Sequence, residues 1–170
     1  MDRPAPLIVT LLLDAASQER FDALRAAHFP PSRNHLSAHV TLFHALPGEA
    51  VAEVLADLRS VARREPFDVD VTGLRFLGRG VAYVLRSPEL EAVRGAVAAG
   101  RRAALSPQDR QRFAPHVTVQ NSTDPAVARA LQDELSASFV PWTVRGRGLG
   151  LWRYAGGPWE VLDEVEFSPE

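Results

Sequence analysis

Ala38-His39-Val40-Thr41-Leu42-Phe43 and Pro115-His116-Val117-Thr118-Val119-Gln120 are two short apolar segments that carry the same tripeptide, His-Val-Thr. A β-strand sends successive side chains to opposite faces. On such a strand Val40 and Leu42 share one face, and His39, Thr41 and Phe43 share the other. Val117 and Val119 likewise oppose His116, Thr118 and Gln120. The valine faces suit a helix-backed core, which leaves the His/Thr faces toward a groove. By the same parity His44 falls with Val40 and Leu42, at a strand end or in the core.

Outward from these segments, the surrounding elements recur in one order. Residues 7–13 form an apolar run that suits a buried strand. A helix is predicted over about 17–28, with Phe21, Leu24 and Ala27 on one side, followed by a loop at Pro30-Pro31-Ser32-Arg33-Asn34. After the first motif strand (38–43), Val51, Val54, Leu55, Leu58 and Val61 follow the i, i+3, i+4, i+7, i+10 spacing of a helix over about 49–64. Phe67, Val69 and Val71 then alternate with Asp68, Asp70 and Thr72 as in a strand with one wet face. Gly73 switches the parity and predicts a bulge, and Gly78-Arg79-Gly80 is a turn. The series restarts with a strand at 81–86. Ser87-Pro88 supplies an N-cap and a proline at the first helical position of a helix running to about 104, with Leu90, Val93 and Val97 inward. A polar loop (106–112) leads to the second motif strand. Asp124-Pro125 starts a helix carrying Val127, Leu131 and Leu135, and strands at about 140–154 and 158–167 meet at Gly156-Gly157.

The unit strand, helix, motif strand, helix, strand thus occurs twice, and the motif histidines are 77 residues apart, 39 to 116. Two copies of a roughly 80-residue unit are a duplication and not a solenoid, which needs at least three repeats. The expected fold is α+β. Residues 1–170 form a single domain with two pseudo-symmetric lobes, roughly 7–78 and 80–168. Antiparallel-rich sheets surround a central cleft, with helices outside.

Composition removes several chemistries. All 19 basic residues are Arg, so Schiff-base and lysine-nucleophile mechanisms are excluded. There is no Cys, which excludes disulfides, thiol nucleophiles and cysteine-based zinc sites. A net charge of −2 argues against a broad footprint on duplex nucleic acid, but not against a small anion or one end of an RNA. No apolar run approaches the ~18 residues that span a bilayer. The run at 7–13 is bounded by Pro4, Pro6 and Asp14, which suits a strand better than a leader. A cytoplasmic protein with no membrane association and no obligate protein partner is expected. His35 and His39 have the i, i+4 spacing of a zinc pair, but the Pro30-Pro31 loop running into a strand disfavours the required helix, and no carboxylate lies nearby. No metal and no cofactor are expected. No G-x-S-x-G elbow is present for serine acyl chemistry.

Two imidazoles facing one groove have a definite use. Hydrolysis of a cyclic phosphodiester needs a base to take a proton from water, an acid to protonate the leaving oxygen, and donors for the nonbridging oxygens. Imidazole titrates near 6.5, so one neutral and one protonated histidine supply the first two needs near neutral pH. The threonine hydroxyls can supply the third. Tyr83, Trp152, Tyr154 and Trp159 are candidates to stack on a base. Arg33, Arg145, Arg147 and Arg153 are candidates to hold phosphates.

Two H-x-T motifs at this separation, with the context Phe113-Ala114-Pro115-His116-Val117-Thr118-Val119, resemble the 2H phosphoesterases. That family includes the 2′,5′ RNA ligase-like proteins and cyclic nucleotide phosphodiesterases. The closing segment, Leu151-Trp152-Arg153-Tyr154 and Gly157-Pro158-Trp159-Glu160-Val161-Leu162, is similar to the family's last hairpin. The resemblance implies a metal-independent hydrolase acting on an RNA end or small nucleotide with a cyclic phosphate or 2′,5′ linkage. His39 and His116 would be the acid/base pair, and Thr41 and Thr118 the phosphate ligands. The alternative is a module that binds an RNA end or nucleotide in the same cleft without turnover.

Overall fold

The computed structural model describes residues 3–170. Strand β1 (Leu7–Leu13) is buried along its whole length and is paired on both edges, by β2 (Val40–Leu46) and β6 (Trp142–Arg153). A strand without a solvent edge or a wet face is read from sequence as an unbroken apolar run. Helix α1 (Ala15–His28) begins where Asp14 accepts a hydrogen bond from the Ser17 N–H at 3.2 Å. The remaining elements are α2 (Val51–Val61), β3 (Phe67–Phe76), β4 (Val81–Arg86), α3 (Pro88–Ala98), α4 (Pro107–Arg110), β5 (His116–Gln120), α5 (Pro125–Ala137) and β7 (Glu160–Glu166).

The α+β class is as expected, but the sheets are continuous. Seven antiparallel strands form one sheet in the order β2-β1-β6-β3-β4-β5, with β7 also on β6. The joint is β6, whose residues 142–146 pair with β3 and whose residues 146–153 pair with β1. Flat, five strand spacings of about 4.8 Å would hold β2 and β5 about 24 Å apart. They are instead in contact, and α1 packs against β5. The sheet therefore rolls, and the two motif strands at its opposite ends come together. Arg25 on α1 ties this closure by donating to the Thr118 carbonyl at 2.9 Å.

Several expectations shift for local reasons. The register slips between Val71 and Gly73, the bulge expected at Gly73. The α3 helix stops at Ala98 and not near 104, because Gly100 takes a left-handed φ of 80° before a single 3₁₀ turn at Arg102–Ala104. The 106–112 loop contains α4, started by Ser106, whose hydroxyl accepts from the Asp109 N–H. On α1 the inward residue of the last turn is Arg25, 4% exposed, while Ala27 faces solvent. The first motif strand starts at Val40 and carries a second bulge. Thr10 opposes Thr41 but Val9 opposes Phe43, so two residues of β2 face one of β1. Phe43 turns into the core and His44 turns out of it, the reverse of their expected faces. No helix among the described residues is long and apolar enough to cross a membrane.

Candidate active site

His39 immediately precedes β2, and His116 is the first residue of β5. Each uses the same local device. His39 Nδ1 lies 2.8 Å from the Ser37 carbonyl oxygen, and His116 Nδ1 lies 2.9 Å from that of Ala114. A carbonyl oxygen only accepts, so Nδ1 carries the hydrogen in both rings and Nε2 is the nitrogen left free for chemistry. Burial pushes the His39 pKa below the ordinary imidazole value. The Ser37 carbonyl opposes this, and the charges of Arg25, His116 and His44 add to it. Burial lowers His116 as well, against its Ala114 carbonyl and with Arg75 and His44 adding. A charge on His116 thus disfavours a charge on His39.

The His39 ring packs against Trp159, with centroids 4.6 Å apart. This pair stands between two adjoining chambers of about 380 and 790 Å³ that share His35, Leu36, His39, Pro158 and Trp159. The narrower chamber is walled by Thr10, Gln18, Arg147 and Trp152. There the Trp152 Nε1–H donates to Thr10 Oγ1 at 2.9 Å. Gly150 leaves room for that bond, since a Cβ at 150 would sit 2.8 Å from Trp152 Nε1 and 2.9 Å from Thr10 Oγ1. The wider chamber is walled by Arg25, Arg33, His44, Thr118, Asn121 and Tyr154.

Trp152, Trp159, Tyr154 and Arg33 thus reach the cleft, as does Thr118. His116 and Thr41 line neither chamber; His116 lies within electrostatic reach of His39, and Thr41 sits across from Thr10 on β1. Two candidates are corrected. Tyr83 is 5% exposed, and its ring packs among Phe21, Phe139 and Trp142, with centroids 5.2–6.3 Å away. Such pairs contribute about 0.5–1.5 kcal/mol each, so it is a core aromatic and not a stacking surface. Arg153 donates to the carbonyls of Ala5 at 2.7 Å and Gly48 at 3.2 Å, which commits its guanidinium to the N-terminal segment and the β2–α2 turn. Arg145 pairs with Asp68 at 3.2 Å on an exposed face. Arg147 borders the cleft, but its Nε donates to the Leu13 carbonyl at 2.8 Å and it is ion-paired with Glu166.

Arg25 and His44, like Thr10, Gln18 and Asn121, line the cleft without standing among the site candidates legible in the sequence. Arg25 binds Asn34 Oδ1 at 3.2 Å and the Thr118 carbonyl, and lies over the Phe29 ring. Its position four residues after Phe21 places it on the buried helix face, a signal that was present. His44 was hidden by the β2 bulge, which nothing local announces. Its Nδ1 lies 3.2 Å from Asp109 Oδ1. Among the described residues no group of three or more His, Asp or Glu side chains is placed to hold a metal ion.

A family model described as the 2′-5′ RNA ligase superfamily matches residues 13–158. The chain belongs to this superfamily, the 2H phosphoesterases. No curated protein matches the chain. Among solved structures, TT0787 of Thermus thermophilus is similar at a TM-score of 0.65 and 19% identity, covering 97% of this chain and 99% of that one. LigT of E. coli, crystallised with 3′-AMP, is similar at a TM-score of 0.63 and 22% identity, covering 96% and 98%. A structure described as a phosphoesterase gives a TM-score of 0.60 and 22% identity, covering 97% and 99%. The fold is shared across essentially the whole of each chain.

Proposed function

We propose that this chain hydrolyses a cyclic phosphate or a 2′,5′ phosphodiester of an RNA end or nucleotide, without a metal, using His39 and His116 as general acid and base. The observation that supports this is the twin Nδ1–carbonyl arrangement, which leaves Nε2 free on both rings, with His116 near enough for its charge to act on His39. The neutral imidazole takes a proton from water, and the water oxygen attacks phosphorus. The phosphorus bond to the ester oxygen breaks, and the protonated imidazole gives its proton to that oxygen. The hydroxyls of Thr41 and Thr118 bind the nonbridging oxygens. LigT has been crystallised with 3′-AMP, NADP+ and ATP, which supports a nucleotide as the ligand of a cleft of this kind. A cytoplasmic location belongs to the same proposal.

The test is a panel of 2′,3′-cyclic nucleotides and 2′,5′-linked dinucleotides assayed in excess chelator. Turnover of at least one class at a chelator-independent rate is expected. Activity abolished by the chelator would overturn the proposal. Tight binding of every compound with no turnover would replace it with the binding module.

The pH dependence follows from the shifts above. The base works only when neutral, so the rate rises with pH through its pKa. The acid works only when protonated, so the rate falls through its own. Both rings are lowered by burial in the free enzyme, so kcat/KM should peak below the ordinary imidazole value of 6.5. A bound phosphate anion favours the imidazolium, so kcat should peak at higher pH than kcat/KM. A kcat/KM maximum above pH 7.5 would contradict the lowered values.

A further inference from the structure

Besides His39, the wider chamber is lined by two imidazoles that the proposed reaction does not use, His35 and His44. His44 enters the cleft through the β2 bulge, and its side chain is 42% exposed while that of its partner Asp109 is 1% exposed. Asp109 accepts from the His44 N–H at 2.7 Å, from the Ala45 N–H at 3.0 Å and from His44 Nδ1 at 3.2 Å. The carboxylate is itself pinned. Arg94 on α3 donates to the Asp109 carbonyl at 2.6 Å and to that of Leu42 at 3.3 Å, locking α4 onto β2. Nδ1 of His44 is therefore a fixed donor to a buried anion, and Nε2 is turned to the chamber. An imidazole so held keeps a counter-charge for its protonated form, in which Nε2–H is a donor.

The chamber's charge is one-sided. Arg25, Arg33, His35, His39 and His44 line it, and among the described residues no carboxylate does. The chain as a whole carries a net charge of −2 with histidine neutral, whereas the two fixed charges on this wall, Arg25 and Arg33, are both positive. The charge of His44 acts on both His39 and His116, yet His44 bonds to neither. Its place is thus beside the scissile position without being part of it.

We infer that His44, oriented by Asp109, binds a second phosphate of the substrate, so that the preferred substrate is a nucleotide carrying a phosphate monoester in addition to the scissile phosphate. Asp109 is a positioning residue here and His44 the contact. The inference deepens the proposed reaction, taking the scissile phosphate to lie between His39 and His116.

Calorimetric titration with adenosine 3′-monophosphate and adenosine 3′,5′-bisphosphate tests it without requiring turnover. A charge-assisted hydrogen bond implies that the wild-type protein prefers the bisphosphate by about 10-fold or more. His44→Ala and His44→Gln should each erase most of that preference. His44→Ala removes one of the three donors to the buried Asp109 carboxylate, so its thermal midpoint should fall, whereas His44→Gln keeps a side-chain N–H donor and should fall less; a lost bisphosphate preference in a folded His44→Gln is then a binding effect. Equal affinity of the wild-type protein for the two nucleotides, or no binding of either, overturns the inference. So does an equal loss for both nucleotides in His44→Ala, which would put His44 on the first phosphate. A preserved bisphosphate preference in a protein that turns over nothing would sink the reaction and leave this subsite standing.

Discussion

His39→Ala and His116→Ala should each lower kcat by about 10²–10⁴-fold, the range that one positioned proton transfer supplies. Neither ring is part of the hydrophobic core, and each makes a single hydrogen bond, to a carbonyl two residues back that water can satisfy in its absence. The thermal midpoint should accordingly stay close to that of the wild type, and affinity for a product nucleotide should fall far less than kcat. In the proposed reaction the two residues act on one phosphorus atom in one step, so the double variant should be little worse than the poorer single one. His39→Asn and His116→Asn add a control. An amide can still donate to the Ser37 or Ala114 carbonyl but cannot shuttle a proton, so each should be as inactive as alanine. Steady-state kinetics on the best substrate of the panel, with denaturation curves alongside, checks all five variants. A single alanine variant retaining a third of the wild-type kcat would remove that histidine from the chemistry.

Asp109→Ala should destabilise the fold by about 2–5 kcal/mol. The side chain is 1% exposed and accepts from two backbone N–H groups of β2 as well as from the His44 ring. Truncation leaves both backbone donors without a partner in a dry place, at about 1–3 kcal/mol each. Asp109→Asn should lose less, because one oxygen still accepts, though its amide nitrogen then faces a donor. The effect depends on pH in a definite sense. Burial raises the Asp109 carboxyl, but hydrogen bonds from the His44 side chain and from the His44 and Ala45 backbone outweigh it, so the folded value lies below the ordinary 3.8. The carboxylate's ionic contribution is therefore complete above 3.8 and is lost as pH falls through the folded value. Urea denaturation of both proteins at pH 7 and near pH 3 should show the gap narrowing in acid. A difference below about 1 kcal/mol at pH 7 would mean that water reaches those donors.

The outline of both halves was legible because its signals are local. Alternation over Phe67–Val71, the helical spacing over Val51–Val61, the cap at Ser87-Pro88 and the parity break at Gly73 depend on neighbours within a few residues, and each element formed. Parity on an isolated strand also separated Val117 and Val119 from His116 and Thr118. The same argument failed at Phe43 and His44, where the register against β1 slips. It failed as well at Tyr83 and Arg153, because alternation says which residues share a face but not what covers that face.

From the sequence alone came the twin His-Val-Thr strands, the elements around them and the absence of lysine and cysteine chemistry. The tertiary structure alone decided that the ends of one sheet roll together, that Arg25 clasps the second motif strand from α1, and that Asp109 crosses 65 residues of chain to hold His44. Strand and helix preferences are set by adjacent dihedrals and side-chain periodicity. Bulges, sheet closure and buried ion contacts are set by which distant surfaces meet, and no short window of sequence contains both partners.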